Sequence, residues 1–463
     1  MKLFNTMTGE KAELVPIEEG HVRMYACGPT VYNFFHIGNA RCFVVFDMLR
    51  RYLQYRGYKV TFAQNFTDVD DKIIKKANEE GITSNEVAEK YIKEYFTDAE
   101  GLGIEKATIH PRATENIDGI IEIVSILIEK GYAYESNGDV YFQPKKFKEY
   151  GKLSHMPIDE LEAGARIDVS EQKRDPLDFA LWKSAKPGEP YWESPWGNGR
   201  PGWHIECSAM VRKYLGQPID IHCGGKDLAF PHHENEIAQS EAACGCTFAN
   251  FWLHNGFISV DNEKMSKSLG NFFTVRDVAE KYGYDVIRYF LLSAHYRKPV
   301  NYSAEVLASS ASALERIHNC EESLEFYIKN ASGGELDESV KAMADGRREQ
   351  FITAMDDDLN TADGISAVFE LVKDANTLIN GKSSASKESA QYVYSVLTEL
   401  TRLLGINKKA KDDDDGAILA KIAERAQAKK DKNYALADSI RNELLSQGIV
   451  LEDTPNGTKY KKI

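Results

Sequence analysis

Residues 22–65, "VRMYACGPTVYNFFHIGNARCFVVFDMLRRYLQYRGYKVTFAQN", carry the clearest structural pattern in the chain. The first seven alternate in polarity and end in turn formers, as a β-strand does. Residues 40–57 repeat apolar side chains at helical spacing up to Gly57, and residues 58–65 are again strand-like. This order predicts a βαβ unit, so the connection at residues 28–39 should lie at the carboxyl end of the first strand, where open α/β sheets bind ligands. The glycine pattern of dinucleotide-binding folds, GxGxxG, is absent from this connection.

The sequence after this unit changes character several times. A helical segment and short strands with the turn-rich "KPGEPYWESPWGNGRPG" indicate an insertion into the α/β domain, which resumes with "DIHCGG" and "FWLHNGFISV". Long helical patterns, a run of charge and a small terminal module follow. The predicted parts are 1–115 and 201–260 for the two halves of the α/β domain, 116–200 for the insertion, 261–302 for a junction, 303–405 for a helical bundle, 406–416 for a charged linker and 417–463 for the terminal module.

Composition and charge limit the classes of protein to consider. The chain has 463 residues, 43% hydrophobic and 28% charged, as in a globular protein with a large core. No apolar stretch has membrane-spanning length and the start lacks the features of a signal peptide, so we expect a cytoplasmic protein with no membrane partner. The net charge of −14 argues against nucleic-acid binding by bulk electrostatics. The terminal module, with nine Lys and Arg against six Asp and Glu, is nevertheless basic.

The densest group of potential metal ligands lies in "HCGGKDLAFPHHENEIAQ", residues 222–239. His232 and Glu236 are four apart and would share one helical face, which is metal-ligand spacing. The segment is not HExxH, so a metalloprotease is not indicated. Cys27 and Cys207, whose patterns place them at strand ends or turns, are candidates to complete the site, and imidazole with thiolate favours zinc.

Spacing alone leaves other interpretations of these residues open. The seven cysteines are odd in number and widely spread, so we expect thiols or metal thiolates and no disulfide framework. Cys223, Cys244 and Cys246 compete as ligands, although "CGC" at 244–246 is interpreted as incidental. The histidines at 232 and 233 could instead be hydrogen-bonded residues at a helix start, beside cysteines that fill the core.

Two further motifs, "HIGN" at 36–39 and "KMSKS" at 264–268, resemble the paired signatures of class I aminoacyl-tRNA synthetases. In that chemistry an amino-acid carboxylate attacks the α-phosphate of ATP and expels pyrophosphate, so the protein mainly has to offset negative charge. The resemblance implies that His36 and Asn39, at a helix start, donate to phosphate oxygens. It implies that Lys264 and Lys267, on a loop that can close, neutralise charge on the α-phosphate and pyrophosphate, and that Lys267 contacts ATP.

Within this class the chain resembles the cysteinyl-tRNA synthetases nearly from end to end. The matching segments are "MYACGPTVYNFFHIGNAR", "NFTDVDDKI", "GARIDV", "DFALWK", "GRPGWHIECSAM", "FPHHENEIAQ", "EKMSKSLGNFFTVRD", "IRYFLLS" and "KNYALADSIRNELLSQGIVLEDTPNGT". The resemblance implies an α/β Rossmann-like catalytic domain with an inserted connective segment, the KMSKS loop within the junction, an α-helical bundle and a small C-terminal anticodon-binding module. It also implies a monomer that joins L-cysteine to cysteine tRNA, using ATP with Mg²⁺ and one zinc ion.

The site residues of this family can be placed on the sequence by the same motifs. The implied zinc ligands are Cys27, Cys207, His232 and Glu236. The residues implied to surround the amino acid or the adenylate are Gly28, Thr67, Trp203, His222 and Asp227. Those implied to bind ATP are His36, Asn39, Gly224, Gly225 and Lys267, the two glycines because they let the backbone approach adenosine closely.

A zinc ion would explain how such an enzyme chooses its amino acid. Cysteine and serine differ by one heavy atom, and a pocket alone separates near-isosteres by only about 10²-fold. A soft thiolate binds zinc far better than a hydroxyl does, and a coordinated thiol loses its proton. Four protein ligands plus the substrate imply expansion to five ligands or displacement of a weak one such as Glu236.

Three positions depart from the family's usual pattern. Asn39 stands where many members have histidine, and its amide can still donate a hydrogen bond. Cys223 replaces a more usual glycine and adds a thiol near the pocket. Tyr460 stands where tryptophan is frequent, so stacking of Tyr460 on an anticodon base stays a prediction.

Two other functions fit parts of this sequence. A cysteine ligase that uses ATP but joins cysteine to a non-tRNA amine, such as an amino-sugar, resembles the catalytic half and lacks the helical and terminal parts. A non-catalytic RNA-binding protein would have no need of His36, the two motif lysines or four metal ligands. The basic terminal module favours tRNA as the acceptor.

Overall fold

The computed structural model describes residues 1–156, 173–261, 263–264, 273–381, 385–408, 416–454 and 457–462. These residues form two compact units. The first comprises Met1–Ser312 and Ile352–Gly364, and the second comprises Ala313–Phe351 and Ile365–Ile463.

The elements of the first unit begin with two short strands and then alternate between strands and helices. In chain order they are β1 (Lys2–Asn5), β2 (Glu10–Glu13), β3 (His21–Ala26), α1 (Ile37–Tyr55), β4 (Lys59–Gln64), α2 (Asp71–Glu80), α3 (Ser84–Gly101), α4 (Ile117–Glu129), β5 (Ala133–Ser136), β6 (Asp139–Phe142), β7 (Phe179–Ser184), β8 (Gly199–Pro201), α5 (Trp203–Tyr214), β9 (Ile219–Gly225), α6 (Glu234–Cys244), β10 (Ala249–Asn255), β11 (Ile258–Val260), β12 (Glu263–Lys264), α7 (Val275–Tyr282), α8 (Tyr284–Leu292) and β13 (Val300–Tyr302).

The rest of the chain is mainly helical. Its elements are α9 (Ala304–Asn330), α10 (Glu338–Asp356), α11 (Thr361–Asn380), α12 (Lys387–Leu404), α13 (Gly416–Lys430), α14 (Tyr434–Ser446), β14 (Ile449–Thr454) and β15 (Gly457–Lys462).

The centre of the first unit is a parallel sheet of four strands in the order β10-β9-β3-β4. β3 and β4 pair in parallel with Met24 opposite Phe62, and α1 connects them. The βαβ unit predicted from residues 22–65 is therefore confirmed, because a parallel pair needs a crossover and α1 supplies it. On the other side of β3, Tyr25 lies opposite His222 of β9.

Helices cover this sheet, as a buried parallel sheet requires. α1 packs against β4, β9 and β10. A buried cluster joins Tyr25, Ile219 and Trp252 of the sheet to Met210 of α5 and Ile237 of α6. The carboxyl ends of all four strands remain uncovered by these contacts and lie at one edge, where β3 is followed by Cys27 and β4 by Asn65.

The segment at 116–200 contains α4 and an antiparallel sheet in the order β5-β6-β7-β8. Its core includes Ile120, Phe142 and Trp182, all fully buried. The same cluster includes Ile205 of α5 and Ala238 of α6. The inserted part therefore supports the two helices that contain Cys207 and Glu236.

The second unit contains the helices from the later part of α9 onward, apart from the end of α10 and the start of α11, and ends in a small separate core. α13, α14 and the hairpin of β14 and β15 bury Ile418, Ile440, Leu444, Ile449 and Leu451, with Tyr460 packed against them. Arg425 donates to both carboxylate oxygens of Asp453 at 2.8 and 3.0 Å, which ties α13 to the hairpin.

Two expectations about cysteines are wrong. Cys207 lies inside α5 and not at a strand end or turn. Cys244 and Cys246 form a disulfide, where free thiols were expected. The residue between them, Gly245, has a φ of +79° and ends α6, and this tight left-handed turn brings two sulfurs separated by one residue within bonding distance.

In the part of the chain that the structure describes, no helix has both the length and the apolar character that a bilayer crossing requires.

Candidate active site and metal centre

A cavity of about 710 Å³ opens at the carboxyl edge of the parallel sheet. Each strand contributes the residues that follow it: Cys27 to Thr30 after β3, Asn65 and Thr67 after β4, Gly225 and Asp227 at β9, and Asn255 to Ile258 after β10. The start of α1 adds His36 and Asn39. This position agrees with the rule that open α/β sheets bind ligands beyond the carboxyl ends of their strands.

The "HIGN" residues form the start of α1 by capping it. His36 Nδ1 accepts from the backbone N–H groups of Gly38 at 3.1 Å and Asn39 at 3.3 Å. Asn39 Oδ1 in turn accepts from the backbone N–H of His36 at 3.4 Å. Because Nδ1 is an acceptor, the neutral imidazole carries its proton on Nε2, and that atom is a donor on a residue that lines the cavity.

The residues that follow the second signature pair with the first. The backbone of Lys264 lies in β12, which pairs with β11, whereas Lys267 falls at 265–272, outside the described residues. Directly after that gap, Thr274 forms a β-bridge with His36. The backbone N–H of Ile37 donates to the carbonyl of Phe273 at 3.2 Å. Phe273 and Thr274, which follow the second motif, therefore lie beside the start of α1, although more than 200 positions separate them in sequence.

Four potential metal ligands converge on one wall of the cavity. Cys27 follows β3, Cys207 lies in α5, His232 lies just before α6 and Glu236 lies in its first turn. Cys27 Sγ is 3.8 Å from Cys207 Sγ and 3.3 Å from Glu236 Oε1. His232 Nε2 is 3.7 Å from Cys207 Sγ and 3.0 Å from Glu236 Oε1. All four donor atoms lie within 4.8 Å of one another, and all four side chains are buried.

A second grouping shares two of these residues. Cys27 and Glu236 also lie close to His222 and His233, with His222 Nε2 2.7 Å from Glu236 Oε2. His233 Nδ1, however, is paired with His254 Nε2 at 2.8 Å, and neither His222 nor His233 lines the cavity or is exposed at all. Cys27, Cys207 and His232 do line it. Of the two groupings, the first is therefore the one that can present a metal to a ligand in the cavity. His222 holds the Glu236 carboxylate of this grouping in position.

The charges of the first grouping suit a cation. The hydrogen bond from Cys27 is the main cause that lowers the pKa of the Cys207 thiol to about 6, with help from His232. Burial raises the pKa of the Cys27 thiol well above its usual value, and the neighbouring Cys207 raises it further. Burial also opposes the ionised form of Glu236, but His222 and His232 outweigh it and hold the pKa of this carboxyl well below its usual value. Two sulfurs, one imidazole and one carboxylate form a donor set that fits zinc.

Trp203 and Thr67 lie beside the metal centre. Trp203 is 41% exposed and stacks on His232 with 4.1 Å between ring centroids, so it covers a ligand and does not fill the core. The Thr67 hydroxyl donates to Glu206 Oε2 at 2.7 Å, and both residues are buried. Sequence reasoning missed Glu206, although its position next to Cys207 in "GWHIECSAM" was a signal that could have found it.

The glycines at this edge have distinct reasons for being glycine. A Cβ on Gly28 would lie 1.6 Å from the backbone oxygen of Asn65, and the Gly28 N–H donates to Asn65 Oδ1 at 2.8 Å. A Cβ on Gly224 would lie 2.7 Å from the His233 ring, which makes it a packing position outside the cavity lining. Gly225, by contrast, lines the cavity together with Asp227.

Comparisons with known proteins agree with this description. The family model described as "tRNA synthetases class I (C) catalytic domain" matches residues 13–312, and the "DALR domain" model matches 350–408. The chain is 58% identical to a "Cysteine--tRNA ligase" of Clostridioides difficile and 56% identical to one of Caldicellulosiruptor saccharolyticus, each over the whole of both chains.

Solved structures are similar in fold at low sequence identity. A methionyl-tRNA synthetase of Mycobacterium tuberculosis in complex with methionyl-adenylate has a TM-score of 0.63 at 19% identity, covering 83% of this chain and 90% of that one. A leucyl enzyme of Agrobacterium radiobacter in a ternary complex has a TM-score of 0.60 at 12% identity, covering 85% and 86%. The predicted α/β catalytic fold with an insertion and a helical carboxyl-terminal part is confirmed. The chain belongs to the class I aminoacyl-tRNA synthetases and, within them, to the cysteine–tRNA ligase family.

Proposed function

We propose that this chain activates L-cysteine with ATP and transfers it to cysteine tRNA, and that a zinc ion held by Cys27, Cys207, His232 and Glu236 selects the substrate. The observation that carries the proposal is that two sulfur ligands open on the same cavity as the capped histidine of "HIGN". A metal with thiolate ligands at the position of the amino acid suits a substrate that has a thiol.

The protein side of the selection follows from packing. α5 and α6 are held against the sheet and the inserted domain by buried apolar clusters, so the distances between the ligands are set before the metal arrives. Zinc, when bound, would take the substrate sulfur as a thiolate and leave a hydroxyl weakly held. Trp203, stacked on His232, would exclude water from that side of the centre.

Activation of cysteine would proceed at the opposite wall of the cavity. His36 would donate from Nε2 to a phosphate oxygen of ATP, helped by the side-chain amide of Asn39. Lys264 and Lys267 would neutralise charge on the α-phosphate and pyrophosphate, with Mg²⁺ accompanying ATP. Gly28, Thr67 and Asp227 would contact the amino acid or the adenylate, and Gly225 the adenosine.

Transfer to tRNA needs the carboxyl-terminal parts. We propose that the basic module at 417–463 reads the anticodon, since single-stranded loops are recognised by stacking and edge contacts on small modules of this kind. We expect the enzyme to act as a monomer in the cytoplasm, where its tRNA and ATP are found.

Pyrophosphate exchange into ATP tests the proposal. Exchange should depend on cysteine and be absent with serine, and the purified protein should contain one zinc per chain. The Cys207→Ala variant should bind no zinc and should show no cysteine-dependent pyrophosphate exchange. Cys223→Ala is the matched control, because Cys223 is also a buried cysteine but lies outside the metal grouping and donates to the carbonyl of Tyr25. Lack of exchange with cysteine would refute the enzymatic proposal, and exchange without charging of cysteine tRNA would favour a ligase with another amine acceptor.

A further inference from the structure

The disulfide between Cys244 and Cys246 is a group of sulfur atoms that the catalytic proposal does not use. All seven cysteines of the chain lie in described residues. Five of them, Cys27, Cys42, Cys207, Cys223 and Cys320, are buried, with at most 7% exposure. Cys244 is exposed and Cys246 is partly exposed. Solvent and small solutes therefore meet sulfur at this pair first, since cysteine reactivity requires access.

The pair occupies a turn that other contacts already hold. Gly245 N–H donates to the carbonyl of Glu241 at 2.7 Å and ends α6. The Glu241 carboxylate accepts from the backbone N–H of Phe248 at 3.1 Å. Gln217 Nε2 donates to the carbonyl of Cys246 at 3.3 Å. None of these bonds uses a sulfur atom, so breaking the disulfide leaves the connection from α6 to β10 in place.

A lysine lies beside the carbonyl groups that precede this turn. Lys130 Nζ donates to the carbonyls of Ala243 at 2.7 Å and Ala242 at 3.4 Å, immediately before Cys244. This ammonium group offsets the partial negative charge of the α6 carboxyl terminus, which would otherwise disfavour a thiolate.

We propose that Cys244 and Cys246 form a redox site that exchanges reversibly between dithiol and disulfide with low-molecular-weight disulfides such as glutathione disulfide, independently of the catalytic centre. One protein thiolate attacks a sulfur of glutathione disulfide, forming a mixed disulfide and releasing one glutathione thiolate. The second protein thiolate then attacks the protein sulfur of the mixed disulfide and releases the other glutathione. The protein loses two protons and two electrons, and glutathione disulfide gains both to become two molecules of glutathione thiol.

The test uses the full-length protein, first reduced with a dithiol and then freed of it. Glutathione disulfide should remove two titratable thiols, lower the intact mass by two hydrogens and leave no glutathione attached, and peptide mapping should place the bond at 244–246. The zinc content and the rate of cysteine-dependent pyrophosphate exchange into ATP should be the same in the dithiol and the disulfide forms. Reduction should restore both thiols.

Two variants keep the outcome decisive. Cys246→Ser should retain one stable attached glutathione on Cys244, because the resolving thiol is missing. Cys320→Ser, which removes a buried cysteine, should behave as the wild type. The proposal fails if the wild-type pair stays reduced, if glutathione remains attached to it, or if Cys27 or Cys207 loses its thiol first.

Discussion

Replacing Glu206 by alanine should weaken the binding of cysteine and spare the metal centre. Glu206 is 1% exposed and Thr67 is 2% exposed. Alanine would leave the Thr67 hydroxyl without the acceptor it now has at 2.7 Å. An unsatisfied buried hydroxyl costs about 1–3 kcal/mol. Because Thr67 lines the cavity, its hydroxyl would turn away from the substrate.

The expected result is an increase in the KM for cysteine of roughly 5- to 100-fold, with kcat much less affected, since 1.4 kcal/mol corresponds to tenfold. The assay is pyrophosphate exchange at varied cysteine concentration, with zinc content measured in parallel. Glu206→Gln is the matched control, because its amide oxygen preserves an acceptor for Thr67. Thr67→Val combined with Glu206→Ala should be no worse than the more impaired single variant.

Three outcomes would contradict this reasoning. An unchanged KM in Glu206→Ala would show that the hydrogen bond does not position Thr67. An equal defect in Glu206→Gln would show that charge, and not the acceptor, matters. Loss of zinc from Glu206→Ala would show that Glu206 acts through its neighbour Cys207.

Other predictions concern backbone clearance, stacking and pH. Gly28→Ala should abolish exchange, because its Cβ would lie 1.6 Å from the Asn65 backbone oxygen; a variant with normal KM and kcat would contradict this. Trp203→Ala should release zinc faster to a chelator, because His232 loses the ring stacked on it; an unchanged release rate would show that the indole does not shield the centre. Burial lowers the pKa of His110 from 6.5 to about 4, and its Nε2 accepts from the Ala107 N–H at 3.0 Å. At this residue the folded state thus binds fewer protons than the unfolded state. The contribution of His110 to the free energy of unfolding is therefore fully present above pH 6.5, and about 3 kcal/mol of it is lost as the pH drops to about 4. Urea unfolding between these pH values should show a smaller decrease for His110→Asn than for the wild type; equal slopes would refute the assignment.

The inserted domain also has a role that only its packing reveals. α5 and α6 contribute Ile205 and Ala238 to the same buried cluster as Phe142 and Trp182 of the insertion. These two helices contain Cys207 and Glu236, so the insertion helps to fix the spacing of the metal ligands. The sequence of the insertion, with its helix, short strands and turns, gives no hint of this role.

Local patterns were enough to predict the first βαβ unit and to find the "HIGN" motif of the cavity. Alternation and helical spacing are properties of neighbouring residues, and they specify β3, α1 and β4 whatever lies elsewhere in the chain. The position of "HIGN" after a strand likewise predicts a ligand site, because the carboxyl ends of parallel strands meet at one edge.

Spacing alone did not decide the membership of the metal centre: the family resemblance implied its four ligands, and the tertiary structure brings their donor atoms together. Cys27 and Cys207 are 180 residues apart, and their sulfurs come within 3.8 Å only because α5 packs across the end of β3. Spacing could not choose between Cys207 and its competitors, and it placed Cys207 at a strand end when the residue lies in a helix. The bond from Thr67 to Glu206 and the disulfide at 244–246 were hidden for the same reason. Side-chain distances depend on how distant segments pack and on local backbone angles, and neither can be read from the order of residues.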